Sequence, residues 1–141
     1  MTRILYVEDD EDTKELVRFL LRQENYEVVL AESSEQALLL ARDFSFSSYL
    51  IDNWLAGLSG VELCRRLREF DATTPVLFYS AAAYAQDIRE AIAAGAQGYI
   101  TKPAENQTLV EEIFRLVWAP EKDAATYIAA SHRTTNFYSV F

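Results

Sequence analysis

Five side chains in this sequence could do chemistry together: Glu8, Asp9, Asp52, Ser80 and Lys102. Each follows directly on a short apolar run. Arg3-Ile4-Leu5-Tyr6-Val7 leads into Glu8 and Asp9, and Tyr49-Leu50-Ile51 into Asp52. Val76-Leu77-Phe78-Tyr79 leads into Ser80, and Gly98-Tyr99-Ile100-Thr101 into Lys102. Two carboxylates about 4 Å apart repel by roughly 4 kcal/mol at an effective dielectric near 20, so three acids brought together need a counter-charge. Lys102 offers one. A divalent ion suits the oxygen ligands better, and magnesium (or manganese in its place) binds through one or a few carboxylates, keeps waters and completes its shell with phosphate oxygens. Asp52 would then be a nucleophile. A carboxylate attacking a phosphoryl group makes an acyl phosphate, with the metal, Lys102 and the Ser80 hydroxyl stabilising the added charge.

That chemistry requires the five residues to meet, which is a demand on the fold. The apolar runs are rich in β-branched and aromatic residues and read as buried strands, as does Tyr26 to Ala31. Between them lie helical patterns. Leu16, Val17, Leu20 and Leu21 form a stripe over Thr13 to Arg22, opened by acids at Asp10 to Asp12 that favour a helix start. Ser33 or Ser34 caps a second helix with Ala37, Leu38, Leu40 and Ala41 inward. Gly60 precedes a third, with Val61, Leu63, Cys64 and Leu67 inward and Arg65, Arg66 and Arg68 outward. A fourth runs from about Tyr84 to Ala94 and is closed by Gly95; a fifth runs from about Glu105 to Trp118 and is ended by Pro120.

Five strands alternating with five helices predict an α/β fold: a doubly wound parallel sheet with right-handed crossovers and helices on both faces. In that architecture the carboxyl ends of the strands converge on one cleft, so Glu8, Asp9, Asp52, Ser80 and Lys102 share a rim. Plainer readings stand beside this one. Asp52 could end a strand in an ordinary turn, Ser80 could cap the next helix, and Tyr99 could be a core aromatic.

The bulk composition agrees with a single domain. The chain has 141 residues, half of them hydrophobic, and a formal net charge of -9. That balance argues against direct nucleic-acid contact or docking on anionic membranes, which need a basic face. One cysteine excludes an intrachain disulfide and fits a reducing cytoplasm; Cys64 reads as a small core residue. No apolar stretch is long enough to span a bilayer, and no signal peptide is evident.

With these pieces in order, the sequence resembles the receiver domain of bacterial two-component response regulators, of the chemotaxis-regulator type, over residues 3 to about 118. The matching pieces are Val7-Glu8-Asp9, Asp52, Leu55 with Gly60, Ser80 and Tyr99-Ile100-Thr101-Lys102-Pro103. The resemblance implies the strand order 2-1-3-4-5 of a flavodoxin-like sandwich. It implies that Asp9 holds a magnesium ion directly and Glu8 largely through water, with Asp52 and the backbone carbonyl of Trp54 as further ligands. Asp52 would be the phospho-acceptor, Lys102 would pair with the phosphoryl group, and Ser80 would turn toward it while Tyr99 moves inward. Trp54 and Ala82 stand at two positions that modulate water access, which implies slow self-dephosphorylation. The implied partners are a sensor histidine kinase or histidine phosphotransfer protein and a downstream protein target. Such a protein is a signalling switch that catalyses only its own phosphoryl transfer and hydrolysis.

Three rival readings compete with this one. A flavodoxin-like cofactor binder needs a hydroxyl- and glycine-rich loop after the first strand, where Glu8 to Asp12 would repel phosphate. An aspartate-nucleophile phosphatase generally carries a second acid where Trp54 stands. The closest rival is a degenerate receiver that only binds proteins. Ala56, Ser59 and Ala104 depart from the family's common residues but remove no ligand. Residues 119–141 lie beyond the resemblance. A short helix over Glu121 to Ala130 and a docking or homodimerising role for an aromatic end (Tyr127, Phe137, Tyr138, Phe141) are the readings there, without room for a DNA-binding output domain; His132 lacks partners for a metal site.

Overall fold

The computed structural model describes residues 2–118 and 137–139. Strands and helices alternate: β1 Arg3–Val7, α1 Glu11–Gln23, β2 Glu27–Ala31, α2 Ser34–Asp43, β3 Ser48–Ile51, α3 Gly60–Arg68, β4 Val76–Ser80, α4 Ala85–Ala93, β5 Gly98–Thr101, α5 Asn106–Trp118 and β6 Phe137–Ser139. The first five strands are parallel in the order 2-1-3-4-5, as expected. The sixth is not expected from the sequence. It lies antiparallel on the outer edge of β5. The helix read over 121–130 and His132 fall outside the described residues.

Strand residues alternate between two cores because successive side chains point to opposite faces. Leu5, Val7, Tyr49, Ile51, Phe78 and Tyr99 pack with α2, α3 and α4 residues on one face. Ile4, Tyr6, Leu50, Leu77, Tyr79 and Ile100 pack with Val17, Leu21, Leu109 and Ile113 on the other. The two layers enclose the sheet, and its strand ends form a rim.

Caps fix where the helices begin. Asp10 accepts from the Thr13 amide at 2.9 Å at the head of α1, and Ser33, rather than Ser34, accepts from Gln36 for α2. Ser59 does the same for α3 through Glu62. Two helix-face expectations are corrected. Leu16 is exposed, because α1 packs on the sheet through the narrower stripe of Val17 and Leu21. Arg68 does not point outward: its guanidinium donates to the carbonyls of Gly95, Asp71 and Thr74 and to Gln97 Oε1. It clasps the turn after α4, where Gly95 takes φ +113, a conformation glycine adopts without a Cβ penalty. Cys64 is fully buried, and burial pushes its thiol up to about 11, as an inert core residue requires.

At the opposite pole from the acids, the buried Tyr49 hydroxyl donates to Asp71 at 2.6 Å. Burial alone would raise the Asp71 carboxyl. The bonds from Tyr49 and from the Thr73 and Thr74 segment outweigh it, and the net shift is downward. A depressed folded-state pKa contributes stability that is present above the unfolded value and lost as pH falls through the folded one. Tyr49→Phe is therefore expected to cost about 1.5 kcal/mol in urea unfolding at pH 7, where the acceptor is charged. The difference from the parent should shrink as pH falls below about 4. A cost unchanged down to about pH 3 would contradict the assignment.

Candidate functional site

The rim at the carboxyl ends of the parallel strands carries all five of the chemical residues read from the sequence, and the acids and Lys102 meet there. Glu8 and Asp9 follow β1, Asp52 follows β3, Ser80 ends β4 and Lys102 follows β5. One carboxylate oxygen from each of Glu8, Asp9 and Asp52 lies within 4.8 Å of the others. Their burial differs: Glu8 is fully buried and Asp52 nearly so, while Asp9 is exposed.

The backbone explains how Asp52 is held. Its amide donates to Val7 O at 3.0 Å, tying the end of β3 to β1. The next residue, Asn53, latches the head of α3: its carbonyl accepts from Gly60 N at 3.0 Å and its Oδ1 from Val61 N at 3.1 Å. Trp54 N donates to Asp52 Oδ1 at 3.3 Å, and the Trp54 side chain is exposed. Asn53 is a positioning group that the sequence reading missed, since a polar residue in a loop carries no periodic signal.

Lys102 reaches across the rim to Glu8, with Nζ at 2.6 Å from Oε1, and lies over the Tyr79 ring at 5.1 Å. Tyr6 donates its hydroxyl to the same Glu8 oxygen at 3.3 Å. Burial pushes the Glu8 carboxyl upward, and the neighbouring Asp52 carboxylate adds to that, while Lys102 opposes it. Burial also raises the Tyr6 phenol, which stays a neutral donor. The sequence marks Tyr6 only as a strand residue, yet it is a second donor to the acid.

Ser80 and Tyr99 meet at one residue. The Ala82 amide donates to Ser80 Oγ at 3.2 Å, and the Tyr99 hydroxyl donates to the Ala82 carbonyl at 2.5 Å. The Tyr99 ring is fully buried and stacks on Phe78, with centroids 5.3 Å apart and planes 2° from parallel. Ala82 is buried, with its backbone bridging the two groups.

The donor set fits a hard divalent cation. It offers only carboxylate oxygens, as magnesium prefers, and Asp9 leaves an exposed side for water. Lys102 is engaged by Glu8, so the Asp52–Asp9 side of the cluster is where positive charge is still needed.

Comparison with known proteins points the same way. A family model described as the response regulator receiver domain matches residues 4–114. An uncharacterized transcriptional regulatory protein of Bacillus subtilis, YrkP, is 37% identical over 107 residues, covering 76% of this chain and 46% of that protein. The chain thus spans about half the length of the curated relatives it matches. Among solved structures, a putative response regulator from Chloroflexus aurantiacus is 31% identical with a TM-score of 0.79, covering 82% of this chain and 97% of that one. A CheY-like receiver domain protein from Methanospirillum hungatei is 27% identical with a TM-score of 0.82, covering 88% and 99%.

Proposed function

Because this chain belongs to the response regulator receiver family, we propose that it is a phospho-accepting switch of two-component signalling with Asp52 as the acceptor. The observation that carries the reading is the acid cluster: three carboxylates within 4.8 Å at the strand ends, with Lys102 bonded across it to Glu8. A protein-binding module alone has no use for that arrangement, whose like charges cost stability.

The phosphoryl donor is a phosphohistidine on a sensor kinase or a histidine phosphotransfer protein. An Asp52 carboxylate oxygen attacks phosphorus, a P–O bond forms, the P–N bond breaks and the imidazole leaves with the electron pair. Bound magnesium supplies charge neutralisation for the acids and the phosphoryl oxygens. Asp9, Asp52 and the Trp54 carbonyl would hold it, with Glu8 acting through water. Glu8 also keeps Lys102 beside Asp52, ready to turn to the new anion. Ser80 Oγ, which the Ala82 amide now engages, donates its proton to a phosphoryl oxygen instead. That exchange loosens Ala82. Tyr99 is already fully buried with its hydroxyl on Ala82, so its response is a change in that bond and not the inward movement the resemblance implies; the surface around Ser80 and Tyr99 then reports the charge at Asp52 to a downstream protein. Trp54, two residues after the acceptor, and the small Ala82, two after Ser80, give slow hydrolysis of the acyl phosphate.

The test is amide NMR with magnesium and beryllium trifluoride, a phosphoryl stand-in that adds to a carboxylate. Asn53, Ala82 and Tyr99 are expected to shift in the parent. In Ser80→Ala the Asn53 shift should persist while those of Ala82 and Tyr99 collapse. Equal shifts at Ala82 and Tyr99 in both proteins would remove Ser80 from the relay.

A further inference from the structure

Strand β6 is the feature that the receiver reading leaves unexplained. Its partners on β5 are Gly98 with Ser139, Tyr99 with Tyr138 and Ile100 with Phe137, in antiparallel register. Without it β5 would be the edge of the sheet, offering unpaired backbone groups to any extended strand. The chain therefore covers this edge itself.

The route back is long enough. Helix α5 ends at Trp118, and β6 begins at Phe137, opposite Ile100 near the carboxyl end of β5. Thirteen helical residues rise about 20 Å. The intervening residues 119–136 could span about 60 Å if extended. Yet β6 is only three residues long and makes few ladder bonds. A strand held by so short a pairing is a displaceable cover.

The covered strand is also the one joined to the acceptor site. Tyr99 pairs with Tyr138 through its backbone, while its side chain holds the Ala82 carbonyl, whose own amide holds Ser80 Oγ. Three consecutive links thus run from Ser80 to β6.

We propose that β6 is an intramolecular cover of the β5 edge whose seat is traded against phosphorylation of Asp52. The inference rests on the acceptor reading of Asp52. When Ser80 turns to the phosphoryl group, Ala82 and Tyr99 shift, the β5 backbone loses its register with β6, and the edge opens to a strand from a partner. Linkage makes the effect reciprocal: loosening β6 must favour the phosphorylated state.

The experiment follows amide hydrogen exchange of Gly98 to Thr101 in the full chain, before and after treatment with a small acyl-phosphate donor and magnesium, with intact mass read on the same samples. Tyr138→Pro, which breaks the ladder at a terminal strand, is the companion variant. The parent is expected to show protected β5 amides that exchange about tenfold faster once phosphorylated. Tyr138→Pro should show the faster exchange from the start and accumulate more phosphorylated chain at a given donor concentration. Added mass with unchanged β5 exchange would overturn the coupling alone. Unchanged exchange in Tyr138→Pro would overturn the cover. Protection that rises with protein concentration would show the strand to come from a second copy and overturn the intramolecular seat. No added mass would overturn the acceptor reading and the coupling with it.

Discussion

Lys102→Ala is expected to lower stability by about 3 kcal/mol at pH 7, the low end for breaking a buried ion pair. Glu8 is fully buried and takes its shortest bond from Lys102 Nζ, at 2.6 Å. Removing the amine leaves a carboxylate that keeps only longer bonds, from the Tyr6 hydroxyl and the Asp10 amide, both 3.3 Å. It still faces the Asp52 carboxylate. The cost stays at the low end because Lys102 is partly exposed and Glu8 can take up a proton. Burial already raises the Glu8 carboxyl, and loss of Lys102 raises it further. A carboxyl raised in the folded state destabilises above that pKa, and the loss is relieved as pH falls through it. The gap between parent and variant should therefore narrow as pH falls from neutrality. Glu8→Gln added to Lys102→Ala should recover part of the loss, because the uncompensated charge is gone. Urea unfolding of the parent, both single variants and the double variant at two pH values reads all of this. A pH-independent gap would mean that Lys102 acts by packing on Tyr79 rather than by charge.

Gly60→Ala is expected to be as damaging for a steric reason. A Cβ at this position would lie 2.5 Å from the Asp52 carbonyl oxygen, 2.7 Å from Asn53 Cα and 3.0 Å from the Phe78 ring. The first two atoms are backbone and cannot move aside by changing rotamer. Either α3 retreats, breaking the Gly60–Asn53 and Val61–Asn53 bonds, or the end of β3 shifts and takes Asp52 with it. Overpacking of this kind costs about 3 kcal/mol, which for a chain of this size lowers Tm by about 10 °C. Ser59→Ala, one residue away, loses only a helix cap and should cost about 1 kcal/mol. If Gly60→Ala melted within about 2 °C of the parent, the close approach of α3 to the acceptor strand would be wrong.

These two residues mark the boundary of what the sequence made legible. Short continuous apolar runs rich in β-branched and aromatic residues located the strands, and abrupt polar residues at their ends located Glu8, Asp9, Asp52, Ser80 and Lys102. Their convergence follows from parallel topology: the structure brings the three acids and Lys102 together, with Ser80 at the same end of the sheet on β4. The residues that hold them in place were less visible. Glu8 stands first in a run of five acids, where its role at the strand end is legible but its complete burial is not. It is buried because a lysine 94 positions later neutralises it, and no local pattern encodes that distance. Tyr6 looks like any strand aromatic until its hydroxyl is placed against Glu8. Arg68 is grouped outward with Arg65 and Arg66 by its charge, yet it follows Cys64 by four residues and Val61 by seven, on the buried side of α3, and its guanidinium donates to the Gly95 carbonyl. Strand β6 was hidden for another reason. Three residues are too few for periodicity, and its partner is chosen by tertiary proximity to β5 rather than by its own composition.

The central claim is that Asp52 accepts a phosphoryl group, and intact-mass measurement reads it most directly. The chain and its Asp52→Asn variant are incubated with a small acyl-phosphate donor, with and without magnesium, after circular dichroism shows both folded. The account expects the parent to gain the mass of one phosphoryl group only when magnesium is present, and the variant to gain none. A folded parent that gains no mass, or an Asp52→Asn variant that gains as much as the parent, would contradict it.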